Sequence, residues 1–227
     1  MAKSNIKLLC TKASLKAKLK LTKAFVFDWD GVFTNGKKDF ELQSRFNEID
    51  SMGTNLLRFA YYFKYRHHPF TAIISGENNK AAFTFTKREC LHGNYFKIAN
   101  KIDAARHFCL SHKITLKELA FVFDDVLDLS IAEKCGLRIF ISRDCAPYLN
   151  NYVVKNKLAD IIIDASAESN PVRHICEYLI NAYGVYDEVI SQRVKYSVTY
   201  DNYIRMRREI QPKFFTVTDK VIFETTI

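Results

Sequence analysis

Glycine and proline are scarce, seven and four in 227 residues. That excludes low-complexity sequence and long flexible linkers. No run is long and apolar enough to cross a bilayer. The N-terminus carries lysines but no apolar signal core, so export is not expected. The six cysteines, Cys10, Cys90, Cys109, Cys135, Cys145 and Cys176, form no CxxC pair, and none stands with a histidine at zinc-finger spacing. They are expected as reduced, mostly buried thiols of a cytoplasmic protein. Acidic residues are missing from the first 23 positions, which hold seven lysines (3, 7, 12, 16, 18, 20 and 23). No aromatic residue interleaves those lysines to stack on bases. The expected state is a solvated basic helix rather than a nucleic-acid arm.

What is present is a globular composition, 48% hydrophobic and 26% charged, with a formal net charge of +9. The length suits one large domain, or one domain with an appendage. The positive charge points to anionic partners: phosphorylated small molecules, nucleic acid or an acidic surface.

Short apolar runs alternate with helical patterns. Ala24–Phe27, Thr71–Ile74, Leu119–Phe123, Leu137–Ile141 and Ile161–Ile163 read as buried strands, and His92–Phe96 as a shorter one. Helices are expected over 55–64, 80–87, 101–111, 127–135 and 172–182, with Gly136 as a C-cap and Gly184 as a stop. A short hairpin is expected within 37–49. This alternation predicts an α/β fold, a three-layer sandwich around a parallel sheet. The sequence divides into a basic segment 1–22, a catalytic domain 23–184 and an extension 185–227. The extension breaks the rhythm, and only 214–225 alternates like a strand.

The first strand ends in Asp28-Trp29-Asp30-Gly31-Val32-Phe33-Thr34. Two carboxylates so close repel each other unless a cation neutralises them or they divide chemical labour. A nucleophilic Asp28 beside a proton-handling Asp30 is one such division. Gly31 lets the chain turn tightly over them. In open α/β sheets ligands sit beyond the carboxyl ends of strands, and other polar groups fall there too. Ser75 follows the second strand, and Asp124, Asp125 and Asp128 follow the third. Lys101 opens the helix before that strand; Lys97 is the neighbouring alternative. Nucleophile, acid/base, hydroxyl, cation and metal-binding acids are the equipment of phosphoryl transfer. Taken singly, Ser75-Gly76 reads as a turn, Asp128 as a helix cap and Lys101 as a surface lysine. A receiver domain places its acidic pair on the first strand and its phosphorylated Asp on a later one, so the late doublet Asp124-Asp125 disfavours it. His92, His107, His112 and His174 are scattered and carry no assigned chemistry.

Asp28-x-Asp30-Gly31-Val32-x-Thr34, Ile74-Ser75-Gly76, Lys101 and Asp124-Asp125-x-x-Asp128 resemble, in order and spacing, the four motifs of haloacid dehalogenase-like phosphatases. Phe46-Asn47-x-x-Asp50-x-x-Gly53 and Val172-Arg173 resemble the branch of 3-deoxy-D-manno-octulosonate (KDO) 8-phosphate phosphatases and acylneuraminate 9-phosphatases. The resemblance covers residues 22–182. It implies a Rossmann-like α/β sandwich and an aspartyl-phosphate formed on Asp28, with Asp30 protonating the leaving alcohol and then activating water. It implies that Ser75, Gly76 and Lys101 hold the phosphoryl group, and that Asp28, the Asp30 backbone carbonyl and Asp124 bind Mg²⁺. Asp125 and Asp128 would orient the metal shell or Lys101. Arg173 would bind substrate or serve as a structural cap.

The intervals from Asp28 to Ser75 and from Ser75 to Lys101 leave no room for a large cap domain. The site is therefore expected to be open in a single chain. The resembled branch forms homotetramers through the hairpin after its first motif, which implies closure by a neighbouring subunit. Three departures touch substrate recognition rather than the nucleophile: Glu77 where the branch has Arg, Phe123 where it has Gly, and 166–171 where it has a glycine-rich segment. The expected activity is Mg²⁺-dependent hydrolysis of a sugar-acid phosphate or similar small phosphomonoester. The alternatives are a phosphatase acting on a polynucleotide or protein, and a non-enzymatic interaction module that retains the site.

Overall fold

A computed structural model describes residues 6–41, 43–165 and 170–227. The chain forms β1 (Ile6–Leu8), α1 (Lys12–Leu21), β2 (Ala24–Phe27), α2 (Glu48–Tyr65), β3 (Phe70–Ile74), α3 (Lys80–Glu89), β4 (Gly93–Tyr95) and α4 (Lys101–Ser111). There follow β5 (Leu119–Phe123), α5 (Leu129–Ala132), β6 (Leu137–Ser142), α6 (Pro147–Lys155), β7 (Ile161–Asp164) and α7 (Pro171–Ala182). The extension holds α8 (Tyr186–Val194), α9 (Val198–Glu209), β8 (Lys213–Thr218) and β9 (Val221–Thr225).

All nine strands make one sheet in the order β1-β7-β6-β5-β2-β3-β4-β8-β9. It is parallel except at its margins, where β1 runs antiparallel to β7 and β9 to β8. The central strands are buried on both faces, which is why they read as unbroken apolar runs. Alternation divides their side chains between two cores. Phe25, Phe27 and Ile73 join the core beneath α1, α2, α3 and α7–α9. Ala24, Val26, Ala72, Ile74 and Phe121 join the core beneath α4, α5 and α6. The result is an α/β three-layer sandwich, as the alternation predicted.

Most expected elements fall where the pattern puts them, three differ, and β1, α6, α8 and α9 are additional to it. The expected hairpin within 37–49 has no strand among its described residues. Side chains take over its backbone donors instead: Asn35 Oδ1 accepts from Lys37 N, and Asp39 Oδ1 accepts from Glu41 N and Gln43 N. Asn47 Oδ1 then caps Ile49 N and starts α2 earlier than its apolar pattern suggested. The expected helix 127–135 is a 3₁₀ turn over Val126–Asp128 followed by the single turn α5. Gly136 is required there by space, since a Cβ would lie 1.9 Å from the Lys117 carbonyl oxygen.

The terminal segments join the same sheet. On α1, Leu15 and Leu19 are buried while most of its lysines face solvent. The extension packs Tyr200, Tyr203 and Ile204 of α9 into the core. The alternating stretch 214–225 is two strands, turned at Asp219 and Lys220, both at positive φ as a tight hairpin turn requires. No described helix is long and apolar enough to cross a membrane. No separate domain interrupts the described residues between β2 and β3 or between β3 and β5.

Candidate active site

The parallel pairings of β2 with β3 and with β5 bring three strand ends together. Asp28 follows β2 and is tied to β5 by its N–H donating to the Val122 carbonyl (2.9 Å). Trp29 turns into the core against Phe33, Phe46 and Phe85. Gly31 sits at φ +88°, and a Cβ there would lie 1.8 Å from Asp124 Oδ2. Only glycine lets the loop cross so close to that carboxylate.

Lys101 is buried and reaches across from the start of α4. Its ammonium donates to Asp28 Oδ1 at 2.6 Å and to Asp128 Oδ1 at 2.7 Å. The alternative, Lys97, is exposed. Asp128 is fully buried, and its Oδ2 accepts from Asp125 N (3.3 Å). Asp125 instead turns on its own helix start, accepting from Val126 N at 2.6 Å. One oxygen from each of Asp28, Asp124 and Asp128 lies within 4.8 Å of the others. Asp30 lies outside that triad of side chains.

Asp28 and Asp128 share the Lys101 ammonium while Asp124 stands 3.6 Å from the Arg143 guanidinium, and the excess of buried acids shows in their protonation. Burial, then the neighbouring Asp128, pushes Asp28 well above the usual carboxylate range, against the pull of Lys101. Burial and Asp128 push Asp124 up to about 7. Burial raises Asp128 as well, opposed by Lys101. Burial alone would lower the Lys101 ammonium, but Asp28 and Asp128 hold it above its ordinary value. Asp124 Oδ1 is buried and has no hydrogen-bond partner among the described residues. Surplus negative charge, a bare inward oxygen and an all-oxygen donor set fit a hard divalent cation.

Ser75 is buried at the end of β3. Its backbone N–H donates to Tyr95 O, and its hydroxyl accepts from Glu77 N at 3.1 Å. Gly76 is half-buried beside it, and a Cβ there would meet only Ile98 O, at 3.9 Å. Arg173 does not join this group. Its guanidinium is held by Glu177 at 2.6 Å, one turn along α7. Its backbone N–H donates to Asp50 Oδ1 at 2.8 Å. A Cβ on Gly53 would lie 2.7 Å from Arg173 Cα. The segments 46–53 and 172–173 therefore meet in one contact between the N-terminal ends of α2 and α7. The departures at 166–169 lie outside the described residues.

Sequence reading missed four residues here. The Ser44 hydroxyl donates to Asp30 Oδ1 at 2.6 Å and accepts from Asn79 Nδ2 at 2.5 Å; both side chains are buried. Asp30 Oδ2 is buried without a hydrogen-bond partner, 3.7 Å from the Lys38 ammonium. Arg143 donates to the Gly31 carbonyl and stands 3.6 Å from Asp124 Oδ2. Apart from Lys38, their partners lie far off in the sequence, in stretches with no periodic signal; the loop between Thr34 and Asn47 shows only mixed polarity. Beside Asp30 opens a cleft of about 600 Å³, whose lining includes Lys37, Lys38, Arg45 and Arg143. Asp39 and Asp50 also line it, so its cations outnumber its acids by two.

No protein-family model matches the chain, and no curated protein does. Solved structures do resemble it. A Legionella pneumophila protein assigned to the HAD superfamily (subfamily III A) hydrolases is 24% identical with a TM-score of 0.65, over 81% of this chain and 95% of that one. The 3-deoxy-D-manno-octulosonate 8-phosphate phosphatase of Moraxella catarrhalis, solved with magnesium, phosphate and KDO, is 21% identical with a TM-score of 0.64. That match covers 78% of this chain and 97% of that one. The cobalt-bound deoxy-D-mannose-octulosonate 8-phosphate phosphatase of Haemophilus influenzae is 19% identical with a TM-score of 0.59, covering 74% and 93%. The chain has the fold of these haloacid dehalogenase-like proteins.

Proposed function

We propose that this chain is a Mg²⁺-dependent phosphomonoester hydrolase that works through an aspartyl-phosphate on Asp28. The observation that carries the reading is the Lys101 ammonium clamped between Asp28 and Asp128, in a cluster with more carboxylates than cations. In the proposed reaction a carboxylate oxygen of Asp28 attacks phosphorus as the bond to the substrate's alcohol oxygen breaks. Asp30 gives that oxygen its proton. Asp30 then takes a proton from water, whose oxygen attacks phosphorus and releases the Asp28 carboxylate and inorganic phosphate. The Ser44 hydroxyl on Asp30 Oδ1 favours a proton on the bare Oδ2. Ser75, Gly76 and Lys101 would hold the phosphoryl oxygens.

Asp28, Asp124 and the Asp30 backbone carbonyl would hold Mg²⁺, with Asp128 close by. Bound there, the ion would neutralise charge on the phosphoryl group and offset the repulsion among the acids.

The proposed substrate is a small phosphorylated sugar acid. Support comes from the fold shared with the octulosonate phosphatases and from the cationic lining of the cleft beside Asp30. A cytoplasmic homo-oligomer belongs to the same proposal; Phe40, on the loop after Thr34, is fully exposed, which suits burial against another copy.

The test is a panel of phosphorylated metabolites, with a generic aryl phosphate, assayed for phosphate release with Mg²⁺ and with chelator. Hydrolysis by the wild type, lost with chelator and in Asp28→Asn, is the expected result. A wild type that releases phosphate from none of these compounds would overturn the proposal.

A further inference from the structure

A second cavity, about 690 Å³, opens at the other end of the α2–α7 pair. Its walls are α1 and the C-terminal ends of α2 and α7. Lys12, Lys16 and Lys20 recur every fourth residue on α1 and line it. They stand about 6 Å apart along one side of the helix. Lys64 from α2 completes the basic lining, and Tyr65 and Tyr178, each half-buried against the core, present their remaining ring edges to it. No acidic side chain lines the groove.

The lysines of this region divide by position. Lys18 and Lys23, off the groove, are paired with Asp160 at 2.9 Å and Glu118 at 2.6 Å. Lys12, Lys16, Lys20 and Lys64 are exposed and have no ion-pair partner among the described residues. The lysine segment has no aromatic residue of its own, and folding brings tyrosines to it from two other helices.

We infer that this groove binds single-stranded nucleic acid without choosing sequence. The lysines take successive phosphates, whose step along an extended strand is close to the spacing of the row, and the tyrosine rings take base faces. A duplex would keep its bases stacked away from the rings. A flat anionic bilayer would meet the lysines but not the groove's aromatic walls. The inference concerns a surface remote from Asp28 and stands whether or not the chain hydrolyses phosphomonoesters.

The test is fluorescence anisotropy with a labelled single-stranded oligonucleotide across a salt series, using the full chain. Binding is expected to weaken with salt at a log–log slope of about −3, four phosphate contacts at roughly 0.7 each. The triple variant K12E/K16E/K20E should lose about tenfold or more in affinity. Tyr178→Ala should lose about fivefold. Thermal melts of both variants test that they fold, since the three lysines are exposed but Tyr178 is half-buried against the core. Absence of binding, or binding untouched by the triple variant, overturns the inference. So does indifference to Tyr178→Ala, which would mean charge alone. Tighter binding to vesicles of anionic phospholipid than to the oligonucleotide would assign the surface to membranes instead.

Discussion

At their N-terminal ends α2 and α7 border the cleft beside Asp30; at their C-terminal ends they wall a groove of lysines and tyrosines. The two proposals place anions at both ends, held by opposite means. In the front cluster Asp28, Asp128 and Lys101 are buried and fixed by partners from different strands and helices. Charges fixed in a dry site act without reorganisation when a reaction develops charge. At the back the lysines are exposed and have no ion-pair partner among the described residues. Such charges are screened by salt and tolerate many ligands. Fixed geometry suits chemistry on one phosphoryl group, whereas a loose row suits a repeating polyanion.

The largest expected effect separates the two ends outright. Asp28→Asn should lower kcat by about four orders of magnitude while leaving oligonucleotide anisotropy unchanged. If both activities fall together, the two ends belong to one site and the comparison fails.

Gly53→Ala strikes the contact that joins α2 to α7 at the front. The new Cβ would meet Arg173 Cα at 2.7 Å, backbone against backbone, with little room for relief. A loss of about 2–3 kcal/mol in thermal or urea denaturation is expected. At the back, Gly184 has open space around it and φ +72°, so Gly184→Ala should cost only about 1 kcal/mol, from backbone strain. Equal losses would mean that the front contact is not tight.

Asp50 gives the front a pH dependence. Burial pushes it up to about 6, although N–H bonds from Arg173 and Val172 favour its charged form. A carboxyl raised above its unfolded value binds more protons when folded. Its stabilisation is present below about pH 4 and is lost as pH rises through about 6. Asp50→Asn keeps an acceptor for Arg173 N and removes the charge. Relative to the variant, the wild type should lose about 2 kcal/mol between about pH 4 and pH 7. Urea denaturation at the two pH values checks it, and parallel curves would refute it.

The smallest effect probes the placement of Asp30. Ser44→Ala removes one donor from Oδ1, so kcat should fall about tenfold with KM little changed. Steady-state kinetics decide it; a rise in KM at constant kcat would mean that Ser44 serves binding instead.

Much of the fold was legible because Phe25–Phe27, Ile73–Ile74 and Leu119–Phe123 are short apolar runs that end abruptly in acids or Ser75. Those endings marked the strand ends that meet, so Asp28, Ser75, Lys101 and Asp124 could be read as one group before any geometry. Ser44, Asn79 and Arg143 could not, because each matters through a partner distant in sequence. The loop after Thr34 looked like a hairpin from its mixed polarity, yet Asn35 and Asp39 satisfy its backbone locally. The helices α8 and α9 are short and polar, and only the few residues Val189, Tyr200, Tyr203 and Ile204 reach the core. Their pattern was too sparse to read. The groove was hidden for the same reason as Ser44: its tyrosines come from elements other than the lysine-bearing helix.

The strand β8 lies in parallel register beside β4, with Phe215 stacked on Tyr95 at 4.7 Å between ring centroids. During synthesis that partnership cannot form until residue 218 has left the ribosome. Until then the outer edge of β4 has its hydrogen-bonding groups open and Tyr95 has lost its stacking partner. A chain stalled before Lys213 would carry a nearly complete site behind an unpaired strand, the kind of edge on which nascent proteins pair with one another. The extension therefore also covers an edge that β4 would otherwise leave open.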